Sequence, residues 1–234
     1  MSAWNSAVSQ MPIAVAVAHR DPLVQAGLQL GMQGLQVYVT PRLGRVCLPV
    51  GSSPPAILVG ESLLTTQHDK ARAFLVLRAL KLVYMRASAL VRTSAADLPV
   101  LVGAWVKVFN PSWVAPGLNA AAVAEMGRSV AAGLPAHYDP NFGVMALEAA
   151  AALGTQTANL GSATLTWANR AALLAVGDPS AALDAVAWGL GQEALPTERE
   201  ARAAWIARTQ DARELLAFSV SEPYLEARRR LGLG

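Results

Sequence analysis

The stretch Ala56–Leu90, AILVGESLLTTQHDKARAFLVLRALKLVYMRASAL, constrains the fold more than any other part of the chain. A short Val/Ile/Leu run, Ala56–Gly60, leads through Ser62-Leu63-Leu64 into a long segment that is apolar nearly all round. A helix with no polar face must be covered on every side, so it belongs in the middle of a domain. Upstream, Leu35–Thr40 and Arg45–Pro49 are short and rich in Val and Leu, and they are separated by the turn-forming residues 41–44 and 51–55. These runs predict a small sheet over about residues 35–60 with at least one hairpin. Everything after Glu61 reads as helix. The expected class is α+β, mostly helical, with the sheet packed on a helical bundle around a central Phe74–Leu90 helix.

Composition supports a full core. Of the 234 residues, 53% are hydrophobic and only 15% charged, against about 25% charged in an average soluble domain. That excludes a disordered chain. A net charge of +3 over this length is too weak an electrostatic footprint for a dedicated nucleic-acid binder. Charge concentrates in residues 193–230, which hold 7 acids and 7 arginines of the chain's 35 charged side chains, so this part should present solvated helical faces. The reading is a lead-in over residues 1–19, with a helix over Arg20–Gly34, and one domain over 20–234 with 193–234 as its charged part. Mean hydropathy is +0.34, yet Arg78, Lys81 and Arg86 interrupt one apolar stretch and Lys107 the other, which argues against a membrane span. The N-terminal apolar run Pro12–Ala18 has no Lys or Arg before it, unlike a secretory signal. Cys47 is the single cysteine, which fits a reducing, cytoplasmic setting and a filler role in a strand.

Several helix boundaries are marked. Ser94 with Asp97, Asp178 before Pro179, and Ser221 before Pro223 are start signals; Thr197 with Glu200 has capping-box spacing. Five tryptophans, Trp105, Trp113, Trp167, Trp188 and Trp205, fall in or near helices and are expected in the core.

The segment order resembles the gluzincin-type zinc endopeptidases of the HtpX and CAAX-protease branch, in which a strand and a short turn precede a helix reading roughly ELAFVLgHELgHi. Arg72–Leu77 matches the lead-in, and Arg78-Ala79-Leu80-Lys81-Leu82-Val83 falls on the HExxH stretch. Leu165-Thr166-Trp167-Ala168-Asn169-Arg170 lies in the register of the family's ExxAD helix. The resemblance implies a zincin-like fold. It also implies that the chemistry is gone: two histidines at i and i+4 hold the zinc, and the glutamate between them activates water. Here Arg78, Ala79 and Leu82 stand at those three positions, Leu165 stands for the glutamate ligand and Asn169 for the aspartate. A guanidinium has no lone pair to donate, so no metal and no cofactor is expected. A second resemblance, to the C-terminal region of large myxobacterial tetratricopeptide-repeat proteins, rests on Pro54–Gly60, Phe74–Leu80, Trp167–Ala182 and the ending Asp211–Leu233.

These observations lead to the expectation of a non-catalytic protein-interaction or scaffold module derived from a metallopeptidase fold, with a helical-repeat protein or a second copy as partner and no nucleic acid. One alternative is an enzyme with a relocated, non-zinc site, for which His137, Tyr138 and Asp139 form a candidate pocket with Arg78; another is a structural subunit of a larger assembly. Glu61, Asp97, Glu125 and Glu148 are the acids weighed as partners for Arg78.

Overall fold

The structure, a computed structural model, describes residues 31–114, 117–134, 137, 139 and 141–233. The expected lead-in and nearly all of the expected helix over Arg20–Gly34 lie outside these residues.

Three strands form one mixed sheet: β1 (Gln36–Thr40), β2 (Cys47–Ser52) and β3 (Pro55–Gly60), in the order β1-β3-β2. β3 is central, and its residues Ala56–Val59 are all buried, as a continuous apolar run requires of a strand covered on both faces. It pairs antiparallel with β2 (Cys47 opposite Val59) and parallel with β1 (Gln36 opposite Ala56 through Thr40 opposite Gly60). The expected hairpin is therefore β2–β3. Its register shifts between Pro49 and Gly51, so Gly51 and Ser52 belong to the strand rather than to the turn read from the sequence. Pro49 is tolerated because β2 is not the central strand.

β3 runs directly into a one-turn helix, α1 (Glu61–Leu64), and then α2 (Asp69–Tyr84). α2 buries Ala71, Phe74, Leu75, Val76, Ala79, Leu80, Leu82 and Val83, which surround its axis, and packs against β2, β3 and a later helix, α8 (Pro179–Gly189). Asp69 in its first turn and Lys81 in its last complement the helix dipole. α2 is shorter than the expected Phe74–Leu90 helix. It ends where Arg86 takes a left-handed φ of 55°, with Arg86 N–H donating to the Val83 carbonyl and Ala87 N–H to that of Leu82. That pair of bonds is a Schellman closure built on arginine instead of glycine. A separate short helix, α3 (Ser88–Arg92), follows.

The remaining helices are α4 (Asp97–Phe109), α5 (Ala120–Ala132), α6 (Phe142–Leu153), α7 (Leu160–Val176) after a 3-10 turn at Gly154–Asn159, then α8, α9 (Arg199–Arg208), α10 (Gln210–Ser219) and α11 (Glu222–Arg230). The mostly helical α+β class is as expected. Asp178 caps α8 by accepting from the Ala181 N–H, and Ser221 caps α11 by accepting from the Tyr224 N–H. The expected capping box at Thr197 and Glu200 does not form: α9 starts after Glu198, with no side-chain cap.

The residues divide into two compact units where the sequence reads as one domain. The first unites the described residues up to Ser88 with those from Leu165 onward, and the second is Ala89–Thr164. The first holds a continuous core in which Phe74, Leu75, Leu80, Leu173, Trp188, Trp205, Leu215 and Tyr224 meet. In the second, α4 packs on α5 and α6, and Trp105, Phe109 and Phe142 pack with ring centroids 5.6–6.4 Å apart. Among the described residues no helix is long and apolar enough to cross a membrane.

Candidate functional site

The residues singled out on α2 occupy two environments. Ala79 and Leu82 are fully buried. Arg78 is half-buried, and its guanidinium points at the end of α8, where a Cβ on Gly189 would come within 3.9 Å of both terminal nitrogens. Arg78 makes no hydrogen bond or ion pair with any described residue. Burial pulls its guanidinium below the ordinary arginine range, while Cys47 and Asp211 oppose that shift by charge. None of the four acids weighed from the sequence fills this role. Asp211 opens α10, inside the segment read as a solvated face, and burial raises its carboxyl above the ordinary value against the attraction of Arg78.

Asn169, on α7, is 2% exposed, and its Oδ1 is buried with no hydrogen-bond partner among the described residues. It borders a crevice lined also by Thr166, Arg170, Asp211, Glu214 and Leu215, too tight to admit a water molecule. Thr166 Oγ1 donates to Glu214 Oε2 at 2.6 Å and Gln210 Nε2 to Glu214 Oε1 at 2.8 Å, which together hold the Glu214 carboxyl below its ordinary value. Arg78 and Asn169, chosen on separate helices, thus both converge on Asp211. Leu165 is half-buried.

Among the described residues no three His, Cys, Asp or Glu side chains are grouped so as to hold a metal. Cys47, 1% exposed on β2, has its thiol pushed up to about 12 by burial, partly offset by Arg78.

The other environment is the surface one turn further along the same helices. Lys81 Nζ stands 5.5 Å from the ring centre of Tyr84 and 5.8 Å from that of Trp167 on α7. Tyr84 is 60% exposed and Trp167 63%. Lys81 forms no ion pair with a described acid. The core placement expected for the tryptophans holds for Trp188 and Trp205 and fails for Trp167, because α7 turns its buried face through Ala168, Ala172 and Leu173.

Of the loop candidates, His137 and Asp139 are exposed, and Tyr138 lies outside the described residues. Asp139 does turn work: its Oδ1 accepts from the Asn141 N–H and its carbonyl from the Phe142 N–H. Arg228, in the basic run of α11, is spent internally, donating to the Leu174 carbonyl at 2.9 Å and stacking near Tyr224.

No family model matches the chain, and no curated protein or solved structure matches it significantly.

Proposed function

We propose that this chain is a non-catalytic protein-interaction module that engages its partner through Tyr84, Lys81 and Trp167. The observation that carries the reading is a lysine, with no acidic partner among the described residues, near two aromatic rings that are each more than half exposed. Exposed Trp and Tyr are the residue types that anchor protein interfaces, and a cation backed by aromatic faces favours a partner segment carrying a carboxylate beside an apolar side chain. The reading keeps the expectation of descent from a metallopeptidase that has lost its zinc, with Arg78, Ala79 and Leu82 at the former ligand positions. On this reading the protein works in the cytoplasm, with a helical-repeat protein as the candidate partner.

Peptide display on the purified chain tests this. Acidic-aromatic sequences should be enriched, and Trp167→Ala should weaken the best of them at least about tenfold, the equivalent of about 1.4 kcal/mol, with the melting temperature unchanged. Enrichment indifferent to Trp167→Ala, or chelator-sensitive peptide hydrolysis by the unmodified chain, overturns it.

A second reading, a subunit that associates with its own copies, is favoured by α6. Val144, Met145 and Leu147 are 57%, 52% and 37% exposed on a helix whose single charge is Glu148. A concentration-independent monomer in sedimentation would remove it.

A further inference from the structure

A second cavity in the first unit has the size and chemistry of a small-ligand site. It measures about 350 Å³ and is lined by Gly44, Arg45, Ser62, Trp188, Gly191, Gln192 and Glu193, within the range of small-molecule pockets. It opens beyond the carboxyl ends of the two parallel strands, since Gly44 and Arg45 lie on the segment leaving β1 and Ser62 stands two residues past the end of β3. In open sheets with parallel strands, ligands bind outside those ends.

The walls are fixed. Gly60 lets the Gly44 carbonyl press against the end of β3, where a Cβ would collide with it. Val46 N–H donates to the Gly44 carbonyl at 2.8 Å and Gly60 N–H to the Val46 carbonyl at 2.9 Å. Opposite, Gly191 (φ 79°) closes α8 in a Schellman arrangement, its N–H donating to Trp188 and that of Gln192 to Ala187. The Glu193 carbonyl then accepts from both Trp188 Nε1 at 3.1 Å and Arg45 Nη1 at 3.3 Å.

Arg45 is the centre of the site. Its guanidinium lies 5.1 Å from the Trp188 ring centre, and the His68 ring packs T-shaped on Trp188 with centroids 5.6 Å apart. Stacking and one bond to a neutral carbonyl orient the group yet leave its charge without a carboxylate among the described residues. A planar, pre-oriented fork with free donors matches a carboxylate in two-point contact. Ser62 adds a hydroxyl that has no hydrogen-bond partner among the described residues. Glu193 is an exposed residue of the same lining and makes the charge there mixed, which opposes a phosphate dianion and suits an ammonium. The geometry points to a binding site for a free amino acid, its carboxylate on Arg45 and its ammonium toward Glu193. This assignment is independent of the protein-interaction reading.

Ligand-observed NMR on the full chain tests it, using the free amino acids singly, their decarboxylated amines, their deaminated acids, and inorganic phosphate. At least one amino acid should bind in the millimolar range or tighter, with its amine at least about tenfold weaker. Arg45→Met, which keeps the aliphatic cover on Trp188, should weaken it at least about tenfold, and Glu193→Gln should weaken the amino acid but not its deaminated acid. Should Arg45→Met fail to fold, Ser62→Ala carries the test and should also weaken binding. No binding by any amino acid, binding unchanged in these variants, or phosphate binding more tightly than every amino acid overturns the assignment.

Discussion

Arg78 and Asp211 attract each other inside the first unit without closing into an ion pair, one arriving on α2 and the other at the start of α10. Each is desolvated, and neither has a side-chain hydrogen-bond partner among the described residues. Burial acts more strongly on each than their mutual attraction does, and removing either charge takes away part of what offsets the burial of the other.

The Asp211 carboxyl is raised above its ordinary value. The folded state therefore binds its proton at a pH where the unfolded chain has released it, and this group's contribution to stability is full below the unfolded value and lost as pH rises through the folded one. Urea titrations of the wild type and Asp211→Asn between about pH 3.5 and 7 should show the wild type gaining on the variant as pH falls. A difference that is flat with pH contradicts this.

Asp178 gives the opposite slope. Its carboxyl is held down by the Ala181 N–H at 3.1 Å and by Lys70 at 3.0 Å. Stability from this group is present above the unfolded value and lost as pH falls through the folded one. Asp178→Ala should cost about 1 kcal/mol at neutral pH, as the loss of an N-cap does. Repeating the melts in acid should shrink that difference toward zero.

Cys47 should resist alkylation in the folded protein at pH 8, because its thiol, pushed up to about 12, carries almost no thiolate there. Denaturant should restore ordinary reactivity. Mass spectrometry after timed iodoacetamide exposure reads the contrast, and rapid native labelling would show the thiol to be accessible.

Arg86 sits at φ 55° in the closure of α2. A left-handed conformation costs a side-chain-bearing residue about 1 kcal/mol that glycine does not incur, so Arg86→Gly should raise stability by about that amount. Thermal unfolding compared with Arg86→Ala, which keeps the Cβ, isolates the backbone effect.

The parts of the fold written in local pattern were legible. Ala56–Gly60 read as a strand and is one; Asp178 and Ser221 read as caps and are caps. What eluded the sequence depends on remote partners. The parallel pairing of β1 with β3 joins segments separated by another strand, and nothing in the composition of β1 specifies it. Arg78 was recognisable as a misplaced charge on an apolar helix, but Asp211 was hidden in a stretch whose many charges average to a solvated face. Trp167 shares its hydrophobicity with the core tryptophans, and only the helical phase set by Ala168, Ala172 and Leu173 turns it outward. Arg45 carried no signal at all, because its role comes from lying over Trp188.

The first unit is discontinuous: its sheet and α2 find their partners α8 and α10 only beyond the 76-residue span Ala89–Thr164. During synthesis, the apolar faces of Phe74, Leu75 and Leu80 emerge well before the chain that will cover them. The nascent chain therefore carries exposed hydrocarbon on α2 until α8 has been made, and a product truncated before α8 lacks the helix that covers it.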